Sequence, residues 1–346
     1  MKLRVGVVGY GYWGSKHVRV LNSMPDLDVV IIEQDTDRLA EAGATFPSVA
    51  LSRDVEASLK DVDALVIATS PSSHAPLAIA ALEAGVHVLV EKPLATSAAD
   101  AIKMIETAEQ NDAVLMVGHT FEYNPSVRML RDLVRSGDLG DVHYIDSARL
   151  NLGLYQPDVN VIWDLAPHDI SITNYLLNST ADHVSAWATR HVPTEFEDVA
   201  YLQVGYNNPS VRSYVHVSWL DPRKVRRVTV VGSDKMAVYN DVDLNEPIRI
   251  YDVGVDCDPG QPIQDRPLVY RYGDISSPRV SGDEPLAIED RHFIDCVRTG
   301  ARPLTDGMSG LAVVETIEAA MTSARDAGRR VPINSPISMI RAGAVA

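Results

Sequence analysis

The sequence predicts an α/β protein of two domains, a doubly wound parallel sheet followed by a domain built on an antiparallel sheet. Three observations carry this expectation. The chain has 346 residues, whereas a typical domain has roughly 150, so two domains with a ligand cleft between them are expected. Its first third repeats short apolar runs separated by helix-compatible stretches, and a G-x-G-x-x-G turn follows the first run. After about residue 120 the runs change from continuously apolar to alternating, the period of strands with one face buried.

In the first domain, residues 1–120, the apolar runs are Val5 to Val8, Val29 to Ile32, Ala64 to Ala68, Val86 to Val90 and Val114 to Val117. Consecutive β-branched and apolar positions suit strands covered on both faces. Trp13 to Met24 and Ser97 to Gln110 supply helices between them, and a β-α-β rhythm places ligands at the carboxyl ends of the strands. In the second domain, residues 121–346, Asn124 to Ser136 reads as an amphipathic helix stopped by the polar segment Gly137 to Gly140. Alternating runs follow at Val142 to Leu152, His183 to His191, Val199 to Tyr206, Val211 to Trp219, Val225 to Val231 and Met236 to Tyr239. Asn207-Asn208 with Pro209 reads as a hairpin connection. Asp252 to Gly282, rich in Pro, Gly and Asp, is expected to be mostly loop, with helices at Leu286 to Thr299 and Met308 to Ala327.

Lys+Arg 31 against Asp+Glu 47 leaves a net charge of −16. Such a surface repels nucleic acid and anionic membranes and favours neither as a partner. Cys257 and Cys296 are the only cysteines, too few for a disulfide framework. Met1 to Val8 enters a strand directly, without a cationic leader, and no run of about 18 apolar residues occurs, so a cytoplasmic location is expected. No His, Cys and carboxylate grouping has metal-ligand spacing. The chain also lacks a G-x-S-x-G elbow and a P-loop lysine, which removes support for acyl transfer and nucleotide hydrolysis.

The glycine motif is Gly9-Tyr10-Gly11-Tyr12-Trp13-Gly14. Its first glycine makes the turn, the second lets backbone approach a pyrophosphate, and the third permits close helix packing, with helix N–H groups holding the phosphates. Glu33 ends the second run 19 residues after Gly14, where a carboxylate would bind ribose hydroxyls and repel a 2′-phosphate. NAD is therefore expected rather than NADP, with Asp35 able to share the ribose role. Read structurally, the same residues are a bare glycine turn and a solvated acid. Glu91-Lys92-Pro93 ends the run Val86 to Val90, so Lys92 emerges at the carboxyl edge where a cofactor's reactive end lies; the plain alternative is a surface ion pair.

These motifs, together with Ala68-Thr69-Ser70-Pro71 and His74, Asp164-Leu165-Ala166-Pro167-His168-Asp169, Glu284-Pro285-Leu286 with His292-Phe293, and Arg302-Pro303-Leu304-Thr305-Asp306-Gly307, resemble the glucose-fructose oxidoreductase / inositol dehydrogenase (Gfo/Idh/MocA) family. The likeness runs over essentially the whole chain. It implies an N-terminal Rossmann domain, a C-terminal α+β domain with a large open antiparallel sheet, and oxidation or reduction at a ring carbon of a sugar or cyclitol. It implies that Lys92, Asp164 and His168 are the catalytic residues, and that Thr69, Pro71, His74, Glu91 and Lys92 surround the nicotinamide half of the cofactor. In His119-Thr120-Phe121-Glu122-Tyr123-Asn124-Pro125 the basic residue of many relatives is absent and Glu122 stands nearby.

The chemistry also follows from the residues. Hydride leaves a carbinol carbon only as its hydroxyl proton leaves, and histidine is suited to take it. His168 is expected to be this general acid/base, Lys92 to stabilise developing alkoxide and Asp164 to orient or cap. Pro167 is expected to make the helix start irregular, with His168 in its first turn, where the helix dipole lowers its pKa. Tyr155 and Asn160, in the polar stretch Asn151 to Asn160, are expected to touch a hydroxyl-rich substrate. Two other readings share the nucleotide-binding features. One is an NAD-dependent glycosidase working through transient C3 oxidation; the other is a non-catalytic NAD-binding scaffold, which has no need of Lys92, Asp164 and His168 together. An open sheet face implies a homo-oligomer, dimer or tetramer, and the negative charge favours a cationic amino sugar among possible substrates.

Overall fold

The computed structural model describes residues 2–153, 155–156, 158–207, 210–257 and 268–333. These divide into two compact units, one drawn from residues 2–123 and 283–318, the other from 124–282 and 319–333.

The first unit is a six-stranded parallel sheet in the order β3-β2-β1-β4-β5-β6. Its strands and helices run β1 Leu3–Val8, α1 Tyr12–Asn22, β2 Leu27–Ile32, α2 Thr36–Thr45, β3 Ala50–Ser52, α3 Val55–Ser58, β4 Ala64–Ile67, α4 Pro71–Glu83, β5 His87–Glu91, α5 Ala98–Gln110 and β6 Leu115–Gly118. The order reverses between β1 and β4, which is the switch point of a doubly wound sheet. Helix starts follow side-chain chemistry: Asp35 accepts the N–H groups of Asp37 and Arg38 ahead of α2, and Ser97 accepts that of Asp100 ahead of α5. β3 escapes the sequence reading because it is three half-buried or exposed residues long.

The second unit holds α6 Pro125–Ser136, β7 Val142–Leu152, α7 Val161–Leu177, β8 His183–Thr189, β9 Val199–Asn207, β10 Ser210–Ser218, β11 Leu220–Gly232, β12 Met236–Asn240, β13 Ile248–Cys257 and β14 Leu268–Ser276. Its nine-stranded sheet has the order β14-β13-β12-β11-β7-β10-β9-β8-β15, where β15 is Val331–Pro332. All pairs are antiparallel except β7 with β10. α7 packs on β7, β9 and β10, and α6 packs on α7 and β12, so Ala200, Leu202, Val204, Val211, Val215 and Val217 are buried on that face. The opposite face keeps Tyr144, Trp187, Tyr201 and Tyr214 exposed. One expectation changes here. Much of Asp252 to Gly282 is strand rather than loop: β14 forms the edge of the sheet and is exposed almost throughout, with Leu268, Val269, Tyr270, Tyr272 and Ile275 at the surface. The proposed hairpin residues Asn208 and Pro209, with Leu154, Pro157 and residues 258–267, lie outside the described residues.

α8 Pro285–Thr299 belongs to the first unit, and α9 Gly307–Arg325 begins there. Leu286, Phe293 and Ile294 of α8 enter the core formed with Val18, Leu21 and Met24. A domain boundary drawn once, at residue 120, therefore omits the return of 283–318, whose apolar face is complementary to α1.

Candidate active site

In the first unit, Gly9 adopts φ +88°, and a Cβ there would stand 2.8 Å from the Ala68 carbonyl oxygen. At Gly14 a Cβ would lie 1.8 Å from the carbonyl oxygen of Gly9, so the loop and helix close only without a side chain. Gly11 faces open space and begins α1 without a side-chain cap or a first-turn acid. Uncapped N–H groups with no competing carboxylate suit an anionic pyrophosphate. Glu33 carboxylate oxygens accept the N–H of Tyr10 at 2.7 Å and of Asp35 at 2.9 Å, which fixes the acid beside the glycine turn at the end of β2. Asp35 is committed to capping α2; its backbone bonds from Arg38 and Asp37 hold its carboxyl below the usual range. Tyr12 is exposed, with its ring against Trp13 and the Lys16 ammonium 4.5 Å from its centroid. The arrangement fits a dinucleotide with a free 2′-hydroxyl. Glu33→Ser is expected to weaken NAD binding by about 10- to 100-fold, the worth of charge-assisted bonds to two hydroxyls, and to narrow the preference over NADP; titration of cofactor fluorescence measures both.

Thr69 and Pro71 stand where β4 gives way to α4, Pro71 at the first helical position. The Ser73 hydroxyl donates to Thr69 Oγ1 at 2.7 Å. His74 is buried, its Nδ1 2.8 Å from the Pro93 carbonyl oxygen and its Nε2 3.1 Å from that of Thr69. Burial lowers its pKa. It lies between the loops after β4 and β5, where a neutral ring donates to one of the two carbonyls. Glu91 is buried, its carboxylate engaged by His17 and by the Lys92 N–H. Lys92 follows at the carboxyl end of β5, joined to Pro93 by a cis peptide bond. Glu122, in a short 3₁₀ turn at Thr120–Tyr123, is buried.

His119 is buried, and neither ring nitrogen has a hydrogen-bond partner. Burial, against the attraction of Glu91, lowers its pKa to about 4. The unfolded chain takes up this proton near the ordinary value of 6.5, the folded chain only near 4. Between them the unfolded state binds more protons, so stability falls as pH falls, by about 3 kcal/mol across the window. His119→Leu is expected to flatten that acid limb, as read from melting temperatures between pH 7 and pH 4.

In the second unit, α7 carries the D-x-x-x-H motif. Asn160 is its cap: Oδ1 accepts the Trp163 N–H at 3.1 Å and Nδ2 donates to Glu197 at 2.8 Å. The side chain is buried and used on both ends. Pro167 lies inside α7 without disturbing its start. Asp164 therefore sits in the first turn, and His168 one turn beyond, outside the helix-start position expected to tune it. The two are four apart on one face. Asp164 Oδ2 accepts the indole N–H of Trp219 at 3.0 Å. Tyr155 packs its ring on Trp219, centroids 5.2 Å apart, and donates its hydroxyl to Asp198 at 3.2 Å. Asp198 also receives the N–H groups of His191 and Val192, so Tyr155 belongs to a braced loop beside the motif. His168 is 9 % exposed. Beside it, the Arg149 guanidinium of β7 donates to Asp169 at 2.8 Å, both buried.

The sequence reading missed Trp219, Arg149, His17 and Asp290. Trp219 had a signal, an indole closing an alternating strand; the others are recognisable only when separate elements pack together, α7 on β7 for Arg149 and α8 on α1 for His17 and Asp290. Among the described residues no group of three or more His, Cys, Asp or Glu is disposed to hold a metal, and no helix is long and apolar enough to cross a membrane.

Residues 3–119 match the oxidoreductase family described as an NAD-binding Rossmann fold, and residues 127–238 match the GFO/IDH/MocA C-terminal domain. UDP-N-acetylglucosamine 3-dehydrogenase of Acidithiobacillus ferrooxidans is 29% identical over 322 residues, 90% of this chain and 94% of that one. Its solved structure superposes with a TM-score of 0.77 at 26% identity, covering 94% of this chain and 98% of the other. D-apiose dehydrogenase of Paraburkholderia graminis is 26% identical over 348 residues, 96% of this chain and 90% of that one. With the glycine turn, Glu33, the lysine at the end of β5 and the Asp164–His168 helix all in their places, the chain belongs to the Gfo/Idh/MocA family of NAD-dependent oxidoreductases.

Proposed function

We propose that the protein oxidises, or in reverse reduces, a ring secondary alcohol of a sugar, amino sugar or cyclitol, with His168 as general acid/base, Lys92 as alkoxide stabiliser and Asp164 as orienter. The observation that carries it is Asp164 and His168 on one face of α7, with Asp164 fixed by Trp219. Bound NAD supplies the hydride acceptor. The chain's own groups do the rest. The imidazole of His168 takes the hydroxyl proton. The ammonium of Lys92 stabilises negative charge growing on the substrate oxygen. The carboxylate of Asp164, braced by the indole, holds the histidine's side of the site in register. Thr69 and Pro71 bear on the nicotinamide half, and Gly9, Gly11, Tyr12, Trp13, Gly14 and Glu33 on the adenosine and pyrophosphate.

The relatives' names make UDP-N-acetylglucosamine, D-apiose and myo-inositol the first substrates to try. Incubation of each with the protein and NAD is expected to give net NADH, seen by fluorescence, for at least one. Sugar release without net NADH would instead support transient oxidation for glycosidic cleavage, and neither product from any sugar or cyclitol would overturn catalysis at a ring carbon.

We propose further that the open sheet face joins copies of the chain. Trp187 and Tyr201 are register partners, Tyr201 stacks on His216 at 4.0 Å, and Tyr144 meets Tyr214 edge-on. An exposed aromatic face of this extent is favourably covered by a second subunit. Sedimentation at micromolar concentration is expected to give a dimer or tetramer, and Tyr201→Glu to shift it toward monomer. A cytoplasmic location accords with Cys296 as a buried free thiol.

A further inference from the structure

Within the first unit, a buried cluster lies behind Lys92 that neither cofactor binding nor proton transfer uses. His17, on the second turn of α1, is fully buried; its Nδ1 stands 2.8 Å from Asp290 Oδ1 on α8, and its Nε2 3.1 Å from Glu91 Oε1 on β5. Both partners are carboxylate oxygens, which accept when ionised. A ring that satisfies both must donate from both nitrogens, as only the imidazolium can. Burial opposes that charge, but Asp290 and then Glu91 outweigh it and hold the His17 pKa well above the usual value. Glu289, beside them on α8, accepts the Thr120 hydroxyl at 2.8 Å, and burial followed by the charge of Glu91 pushes its pKa well up. One cation thus sits between the two carboxyl groups of Asp290 and Glu91, with the Glu289 carboxyl beside them.

The second oxygen of Glu91 accepts the backbone N–H of Lys92 at 3.1 Å. Gly118, the register partner of Glu91 on β6, makes the room, since a Cβ there would lie 3.2 Å from Glu91 Cα and 3.3 Å from its Oε2. On the other side of Lys92, His74 engages the Pro93 carbonyl. The lysine's peptide is therefore held from both directions, and one hold runs through His17.

We propose that His17 is a positioning residue for Lys92: pinned by Asp290 of α8, it clamps the Glu91 carboxylate that fixes the Lys92 backbone, and so joins the phosphate-binding helix α1 rigidly to the strand end that carries the lysine. This rests on the reading of Lys92 as a group acting on substrate. A dinucleotide seated on the first turn of α1 and a lysine at the end of β5 then keep one spacing, because the same buried imidazolium touches the frame of both. The cost of losing such a clamp is misplacement rather than loss of a reacting group, typically up to about 100-fold in turnover.

The test uses the NAD-loaded protein. In His17→Gln, hydrogen exchange of the Lys92 amide is expected to quicken by about tenfold or more, with the amides of Val5 to Val8 in β1 unchanged. Asp290→Asn provides the same readout should His17→Gln fail to fold. Turnover of whichever sugar yields NADH is expected to fall about 10- to 100-fold in His17→Gln, and the His17→Gln/Lys92→Ala double variant to be no slower than Lys92→Ala alone. Unchanged exchange at Lys92 in a folded variant overturns the proposal, as do losses that multiply in the double variant, the mark of a merely structural histidine. Near-normal turnover in Lys92→Ala overturns the reading of Lys92 instead, and leaves the exchange result to judge the clamp.

Discussion

Replacing His168 with alanine is expected to lower kcat by about 10²- to 10⁴-fold, the usual contribution of a positioned general acid/base, while the affinity for NAD stays unchanged. The separation of the two effects follows from where the groups lie. The glycine turn and Glu33 belong to the first unit, whereas His168 is carried on α7 of the second. His168 is 9 % exposed, enough to leave a ring edge for substrate while limiting the water that competes for its proton. Its helix is held at several points: Asn160 caps the start, Trp219 holds Asp164 one turn before the histidine, and Arg149 holds Asp169 immediately after it. A ring carried on so constrained a helix loses little entropy on meeting a hydroxyl. Steady-state turnover with a sugar that yields NADH, alongside NAD titration, measures both quantities. Near-normal turnover in His168→Ala would move the proton transfer to another residue; a parallel loss of NAD affinity would make the histidine structural.

Much of this was legible in the sequence because the relevant physics is local. A G-x-G-x-x-G turn after a continuous apolar run needs no partner to be recognised: Gly14 must lack a Cβ since the helix closes on the carbonyl of Gly9. Glu33 was legible by its distance from that turn, and Lys92 by its position at the end of a buried strand. The strands of the second unit were legible wherever one face was buried, as in β9 and β10, and illegible in β13 and β14, whose apolar residues are interrupted by Asp and Gly and, in β14, stand exposed at the sheet edge beside the cross-strand pair of Arg271 with Asp252. The inward-facing bonds of His74, Glu91 and Asn160 were illegible for one reason. Each is a polar residue in a motif, and a motif does not tell which of its polar groups faces the ligand and which faces the protein. His74 and Glu91 turn inward and spend their hydrogen bonds on loops and on His17. Asp290 was invisible because a carboxylate on an amphipathic helix ordinarily points to water; only the return of α8 to the first unit buries it against α1.

Arg149→Ala is expected to destabilise the second unit by about 3–5 kcal/mol, a fall in melting temperature on the order of 10 °C. Arg149 and Asp169 are 4 % and 1 % exposed at their side chains, so removing the guanidinium leaves a carboxylate in a site that water cannot reach, and the cost is the solvation that carboxylate never regains. The intact pair is a different matter. Its mutual attraction roughly offsets the desolvation of both charges, and replacing both partners by apolar groups of similar size is commonly neutral or better. Arg149→Met combined with Asp169→Leu is therefore expected to recover most of the stability lost in the single variant, as measured by urea or thermal unfolding. The double variant also separates stability from aim. Asp169 follows His168 in α7 and its partner lies on β7, so the pair fixes the rotation of the helix at His168, the proposed general acid/base. If hydrophobic packing fixes that rotation equally well, the double variant regains turnover along with stability. A stable double variant that stays slow would mean that the directional, charge-assisted bonds of the ion pair set the orientation of the histidine, which close packing of apolar groups does not specify.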